Sequence, residues 1–103
     1  QLLKVVTLSP QVEKLVAEGI QQTEHGNFIT MDPENQQKII EAIHQEVSQG
    51  YFQDANPILL CSPAVRMYVK QIIGRALPDV VVLSYNELEP TVEVESNGVV
   101  NVQ

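Results

Sequence analysis

Cys61 holds the position in this 103-residue chain that comes closest to a chemical site. It ends the short apolar run Ile58–Cys61 and directly precedes Ser62 and Pro63, where a helix is predicted to begin. The dipole and the free N–H groups of a helix N-terminus can lower the pKa of a thiol and make it nucleophilic. This position therefore permits a thiol-dependent enzyme or a phosphocarrier domain that uses Cys61.

The residues around Cys61 favour a structural role for it instead. Ala64 occupies the position of the second cysteine in a CxxC pair, and a free cysteine is often a small buried hydrophobe. The turn 61–65 also lacks the glycines that a phosphate-binding loop requires. We therefore predict that Cys61 belongs to the core and that Ser62 is a helix N-cap, and we keep the thiol-dependent enzyme or phosphocarrier as the alternative.

The histidines suggest neither catalysis nor metal binding. Two histidines and one cysteine do not have the spacing of zinc ligands. Neither His25 nor His44 has a serine, a cysteine or a pair of carboxylates at a catalytic spacing. The sequence therefore predicts no catalytic residue, no metal ion and no cofactor.

Two surface features remain as candidates for protein binding. The helix predicted after Ser62 carries three basic residues, and Ser84 to Glu87, after the next strand, have the spacing of a capping box. Ligands of open α/β sheets gather beyond the carboxyl ends of the strands, where this turn lies. Local charge pairing and turn formation are the simpler explanations of both features. The candidate contact residues are Arg66, Lys70, Arg75, Tyr85, Asn86 and Glu87.

Three predicted helices begin with the same device, an N-cap side chain followed by proline. Ser9, Asp32 and Ser62 would supply the N-cap oxygen, and the following proline has the φ that the first helical turn needs. The spacing of apolar residues predicts the first two helices at about residues 10–24 and 33–48, and the third after Ser62.

The strands predict the fold class. Apolar runs at Ile58–Cys61 and Val80–Leu83, joined by a helical crossover, indicate a parallel pair covered on both faces. Leu3–Leu8 is predicted to be the first strand, and Asn97-Gly98 to be the turn of a hairpin between two terminal strands. We therefore expect an α/β domain with a small, mostly parallel sheet and covering helices, in the order β-α-α-β-α-β followed by a terminal strand pair.

Length and composition exclude several classes of protein. The 103 residues suit one domain, and a chain that starts at Gln1 and enters an apolar strand at once is expected to be a piece of a longer protein. Its apolar runs are shorter than the ~18–20 residues of a membrane span. The net charge of −7 disfavours nucleic acid and an anionic membrane surface as partners. The single cysteine rules out an intrachain disulfide and suggests a reducing compartment.

Five ordered motifs carry a resemblance to a known family. They lie at Leu8–Pro10 with Glu13, Met31–Glu34, Pro57–Arg66, Val82–Leu88 and Val92–Val100. Their order and spacing, which cover essentially the whole chain, resemble the C-terminal end of the FlhA/InvA family, the export-gate proteins of flagellar and virulence type III secretion. The resemblance is stronger to the flagellar branch than to the virulence branch.

This resemblance implies a function without enzymatic activity. In the family, a membrane region precedes a cytoplasmic portion of several subdomains, and this chain resembles the last of them. The cytoplasmic portions form a nonameric ring that receives chaperone–substrate complexes under the export gate. The implied partners are other subdomains, copies of the same protein, chaperone–substrate complexes and other components of the export apparatus. The implied location is the cytoplasmic face of the bacterial inner membrane, with this fragment soluble and not itself in contact with the membrane.

Overall fold

A four-stranded parallel sheet organises the chain in the computed structural model, which describes residues 2–50, 52 and 55–102. The elements are β1 (Leu2–Leu8), α1 (Pro10–Glu18), β2 (Ile20–Thr23), β3 (Gly26–Ile29), α2 (Pro33–Val47), β4 (Ile58–Cys61), α3 (Arg66–Ile73), β5 (Val81–Ser84), a 3-10 turn (Tyr85–Glu87) and β6 (Glu93–Val100). The strand order is β5-β4-β1-β6, and β2 and β3 form a separate antiparallel hairpin. The predicted α/β class with a mainly parallel sheet is confirmed.

β1 lies inside the sheet, between β4 and β6. Its register places Leu2 beside Glu93 and Leu8 beside Val100, so the first and last strands pair along their whole length. Val5 and Val6 in the middle of β1 are fully buried. The apolar run predicted as the first strand is thus part of the centre of the molecule.

The three helices pack on one face of the sheet. Val6, Leu59 and Val82 are register partners across β1, β4 and β5, so their side chains point to the same side. They share one hydrophobic core with the apolar faces of the helices. The buried helical residues of that core are Val12 and Val16 of α1, Ile39 and Ile43 of α2, and Tyr68, Val69, Ile72 and Ile73 of α3.

The other face of the sheet is crossed by the connection between β5 and β6 and not by a helix of the described chain. Residues 85–92 lead from the carboxyl end of β5, at one edge, to the amino end of β6, at the opposite edge. Because the helices occupy the first face, this connection has to cross the second one. We call this second side the open face.

Local signals predict the starts of two helices correctly. Asp32 Oδ1 accepts hydrogen bonds from the backbone N–H groups of Glu34 and Asn35, at 2.8 and 3.3 Å. Ser9 Oγ accepts one from Val12 N–H at 3.2 Å. α2 ends one residue before the predicted position. None of the described helices combines the length and the apolar character that crossing a bilayer requires.

α1 ends at Glu18, six residues before its predicted end, because the chain turns into a hairpin. Gly19 lies against the backbone of Thr30: a Cβ at residue 19 would be only 2.5 Å from the Thr30 carbonyl oxygen. The Thr30 N–H donates to the Gly19 carbonyl at 2.8 Å and closes the base of the hairpin. The tight turn at the far end uses Gly26 with a φ of 117°.

The predicted terminal strand pair is wrong, since β6 is one continuous strand. Val5 pairs with Ser96 and Val6 pairs with Gly98, so Asn97 is an extra residue in a β-bulge. A two-residue hairpin turn at Asn97-Gly98 would need positive φ angles, and among the described glycines only Gly26 and Gly50 have one. The pairing of β6 with the whole length of β1 therefore outweighs the local preference of Asn97-Gly98 for a hairpin turn.

Candidate functional site

The carboxyl ends of β4 and β5 bring together Cys61 and four of the six predicted contact residues, Arg66, Tyr85, Asn86 and Glu87. Cys61 and Ser84 are register partners and the last residues of these two strands. Glu13 of α1 reaches the same edge, where its Oε2 accepts a hydrogen bond from the Ser62 N–H at 2.8 Å. Sequence reasoning did not identify this contact, because Glu13 lies 49 positions away from Ser62 and resembles an ordinary first-turn acid.

The turn after β5 is built around the Glu87 carboxylate. Glu87 Oε1 accepts hydrogen bonds from the Ser84 N–H and from the Ser84 hydroxyl, both at 2.9 Å. The Ser84 hydroxyl also contacts Asn86 Oδ1. The predicted capping box between Ser84 and Glu87 is therefore confirmed.

Arg66 and Glu87, two of the predicted contact residues, form an ion pair with each other. Arg66 Nε donates to Glu87 Oε1 at 2.6 Å and Arg66 Nη2 donates to Glu87 Oε2 at 3.3 Å. This fork-like contact ties the first residue of α3 to the turn after β5. Together with the hydrogen bonds from Ser84, it lowers the pKa of Glu87 to about 2. Both side chains are partly exposed, so the pair orients the turn more than it stabilises the fold.

The low pKa of Glu87 predicts a titration that depends on Arg66. The carboxylate should stay charged down to about pH 2, and the Arg66→Ala variant should raise its pKa towards the ordinary value of 4.5. Since the pKa is depressed in the folded state, the stabilisation is complete above pH 4.5 and is lost as the pH falls towards 2. Carboxyl carbon shifts of Glu87 measured by NMR against pH test this.

Arg75→Ala is the matched control, because Arg75 lies in the exposed turn after α3. It should leave the Glu87 pKa unchanged. The two hydrogen bonds from Ser84 should keep the pKa below 4.5 even in Arg66→Ala. A Glu87 pKa that is the same in the parent chain and in Arg66→Ala would contradict the pairing.

Cys61 is fully buried, as predicted. Its Sγ lies 3.7 Å from the Leu83 carbonyl oxygen. Burial, followed by the negative charge of Glu13, raises the pKa of the thiol to about 12. A thiol with this pKa has almost no thiolate near neutral pH, which argues against the thiol-dependent enzyme or phosphocarrier.

The predicted N-cap role of Ser62 is wrong, and this removes the other support for a reactive thiol. α3 begins at Arg66, its N-cap is Val65, and no side chain caps it. Residues 63–65 form a turn between Cys61 and the helix, closed by a bond of 3.2 Å from the Val65 N–H to the Ser62 carbonyl. The free N–H groups of the helix are therefore not adjacent to the sulfur.

The remaining predicted contact residues divide between the two ends of β5: Tyr85 and Asn86 follow its carboxyl end, whereas Lys70 and Arg75 lie near its amino end. Lys70 Nζ donates to the Val80 carbonyl at 3.2 Å and so ties α3 to the start of β5. Arg75, Tyr85 and Asn86 are exposed. Partial burial, followed by the charge of Glu13, raises the pKa of Tyr85. The basic helix face is thus partly engaged within the chain, and its role in protein binding stays a prediction.

The described part of the chain holds no group of three or more histidine, cysteine, aspartate or glutamate side chains that could bind a metal ion. At this edge, hydrogen bonds instead join α1 to the residue after β4, and α3 to the turn after β5. Such an arrangement can fix the shape of a surface, and we see no nucleophile and base placed together among these residues.

Comparison with known proteins finds sequence similarity over almost the whole chain. The FHIPEP family model matches residues 1–93. The flagellar biosynthesis protein FlhA of Bacillus subtilis is 52% identical over 102 residues, which are 99% of this chain and 15% of that protein. The chain therefore spans about a seventh of the length of this relative.

Two solved structures share the fold. The cryo-EM structure of nonameric EPEC SctV-C matches with a TM-score of 0.82 and 29% identity, over 97% of this chain and 29% of that chain. The structure of the Chlamydia pneumoniae CdsV and CdsO protein complex matches with a TM-score of 0.84 and 27% identity, over 96% of this chain and 29% of that chain.

Proposed function

Because the chain belongs to the FHIPEP family, we propose that it is a non-enzymatic interaction module of a flagellar or type III protein export gate. It is the last subdomain of a larger cytoplasmic portion, at the cytoplasmic face of the bacterial inner membrane. The 52% identity to a flagellar protein over almost the whole chain is the observation that carries this proposal. The same identity favours the flagellar export system over a virulence system.

The proposed partners are copies of the same protein and other components of the export apparatus. The nonameric assembly of the related SctV-C supports a ring, and the complex of CdsV with CdsO supports a second type of partner. Chaperone–substrate complexes are the proposed cargo of the assembled ring. The candidate contacts of this module are its exposed residues Tyr85 and Asn86 at the carboxyl edge, and Arg75 in the turn between α3 and the amino end of β5.

A chimeric FlhA tests the proposal in cells. The segment of Bacillus subtilis FlhA that matches this chain is replaced by residues 1–103, and the chimera is expressed in a strain that lacks FlhA. The expected result is recovery of swimming and of flagellin secretion, since the replaced segment is half identical. A chimera that accumulates to the normal level and restores neither would overturn the proposal.

The variant Cys61→Ala in the same chimera separates an interaction module from a thiol-dependent enzyme. A strain with a module in this role should keep swimming, because the buried thiol only packs in the core and makes one weak hydrogen bond to the Leu83 carbonyl. Val16→Asp serves as the negative control, because it places a charge on the buried face of α1 and should abolish function. Loss of swimming in Cys61→Ala at normal protein levels would favour the alternative.

A further inference from the structure

β6 is the longer of the two edge strands of the sheet. The strand order leaves one side of β5 and one side of β6 without a neighbouring strand in the described chain. β5 has four residues, whereas β6 has eight and contains neither proline nor lysine. Short length, proline and lysine are the usual means by which a protein prevents a sheet edge from pairing with another chain. The edge of β6 has none of them, and only the bulge at Asn97 interrupts it.

The outer side of β6 is accessible. Residues 93–96 and Val99 are exposed. Apart from the ladder with β1, no backbone hydrogen bond of the described residues joins residues 93–99 to another segment. The backbone N–H and C=O groups on this side are those that an extended polypeptide uses when it adds a strand to a sheet.

Glu93 and Glu95 make the helix side of β6 negative. They are register partners of Leu2 and Lys4, which lie on the same side of β1 as the core residue Val6. Both glutamates are exposed, and neither takes part in the ion pairs of the described chain. In a strand added beside β6, the nearest side chains would lie about 5 Å away, where opposite charges attract and like charges repel. The helix side therefore favours basic residues in an added strand.

The open face of β6 is apolar. Val94 and Val99 lie on this face, beside Leu3 and Thr7 of β1, and they are 40% and 53% exposed. Side chains alternate between the two faces of a strand. An added strand in which basic and apolar residues alternate would thus bring its basic side chains to the glutamates and its apolar side chains to the valines.

We propose that the outer edge of β6 binds an extended segment of an export client by strand addition, with basic residues on the helix side and apolar residues on the open face. This inference rests on the proposed function, which places the chain at a gate that exports proteins. A polypeptide that passes through a membrane gate has to be extended, so its backbone N–H and C=O groups are free to pair. Strand addition binds mainly through the backbone and can therefore hold client segments of different sequence that share this alternation.

A second copy of the chain fits this edge poorly. Its own Glu93 and Glu95 and its net charge of −7 oppose the approach. Two β6 strands paired antiparallel with each other would also form a twofold contact, whereas a nonameric assembly like that of the related SctV-C needs a contact that repeats around a ring. The charge of the edge therefore selects a basic partner over another copy.

Peptide binding to the purified cytoplasmic portion of the chimeric FlhA tests the strand addition. The probe is a fluorescein-labelled peptide, as long as β6, in which lysine and valine alternate. A peptide of the same composition, with its lysines and valines in two blocks, controls for charge. A third peptide keeps the alternation but carries N-methyl groups on two successive backbone nitrogens at its centre, which blocks both of its edges. Fluorescence anisotropy measures the affinities.

The alternating peptide should bind at least about tenfold more tightly than the other two, because it alone pairs its backbone and matches both faces of β6. The double change Glu93→Lys with Glu95→Lys should weaken its binding at least about tenfold, since attraction becomes repulsion at both sites. Glu18→Lys with Glu24→Lys is the matched control, because these exposed residues of α1 and the hairpin undergo the same change of charge. It should leave the affinity unchanged. Hydrogen exchange on peptide binding should slow in residues 93–100 and not in β5.

Equal affinity of the three peptides would overturn the strand addition, because charge alone would then explain binding. Protection of β5 in place of β6 would overturn the choice of edge. In cells, Glu93→Lys with Glu95→Lys should lower flagellin secretion by the chimera at normal protein levels, and unchanged secretion would overturn the client as the occupant. A chimera that swims although its cytoplasmic portion binds none of the peptides would refute the strand addition and leave the proposed function standing.

Discussion

Ile39→Ala is expected to lower the free energy of unfolding by about 2–5 kcal/mol, the range for large-to-small changes in protein cores. Ile39 lies on α2, is fully buried, and belongs to the core shared by the helices and the sheet. Truncation removes buried apolar area and leaves a cavity that the surrounding close-packed side chains fill only partly. Urea unfolding followed by far-UV circular dichroism measures the loss.

Ile40→Ala is the matched control for this experiment. It deletes the same atoms from the next residue of α2, which is only partly buried at the margin of the core. Its loss of stability should be clearly smaller than that of Ile39→Ala. Equal losses of stability in the two variants would contradict the burial of Ile39 in the core.

Gly19→Ala is expected to destabilise the chain by about 1–3 kcal/mol, the usual cost of forcing extra atoms into a packed place. Gly19 has a φ of −86°, which alanine adopts freely, and such a change alone would stabilise slightly by restricting the unfolded chain. The new Cβ, however, would lie 2.5 Å from the backbone oxygen of Thr30. The hairpin or the end of α1 would have to move, and thermal unfolding would report the loss.

Gln22→Ala in the same hairpin is the control for Gly19→Ala. Gln22 is exposed on β2, and surface substitutions usually change stability by less than about 0.5 kcal/mol. If Gly19→Ala lowered the stability no more than Gln22→Ala, this result would contradict the close contact between Gly19 and the Thr30 backbone.

The sequence predicts well those features that depend on neighbouring residues. Asp32 followed by Pro33 starts α2 as expected, since the N-cap and the bonded N–H groups are at most three residues apart. The apolar runs of β4 and β5 and the helical crossover between them likewise imply a parallel pair by themselves. The capping box of Ser84 and Glu87 is equally local.

Features that depend on distant residues were not predictable in the same way. α1 stops at Gly19 because the Thr30 backbone is there, and the Asn97-Gly98 signal yields a bulge because β1 lies alongside. At the carboxyl edge, the partners Arg66 and Glu87 are 21 positions apart. Sequence reasoning found both residues but did not pair them with each other, since their contact exists only once β4 and β5 are side by side.

The pairing of β1 with β6 sets the order in which the chain can fold during its synthesis. Among the strands of this sheet β1 leaves the ribosome before the others, but one of its two edges stays without a partner until residues 93–100 have emerged. The hydrogen bond from Ser9 Oγ to Asn101 Oδ1 spans 92 positions and joins the residues that directly follow β1 and β6. Contacts of such long range make folding slow, and an unpaired apolar strand invites association with other chains in the meantime. Newly made copies therefore pass through an interval in which one edge of β1 is unpaired.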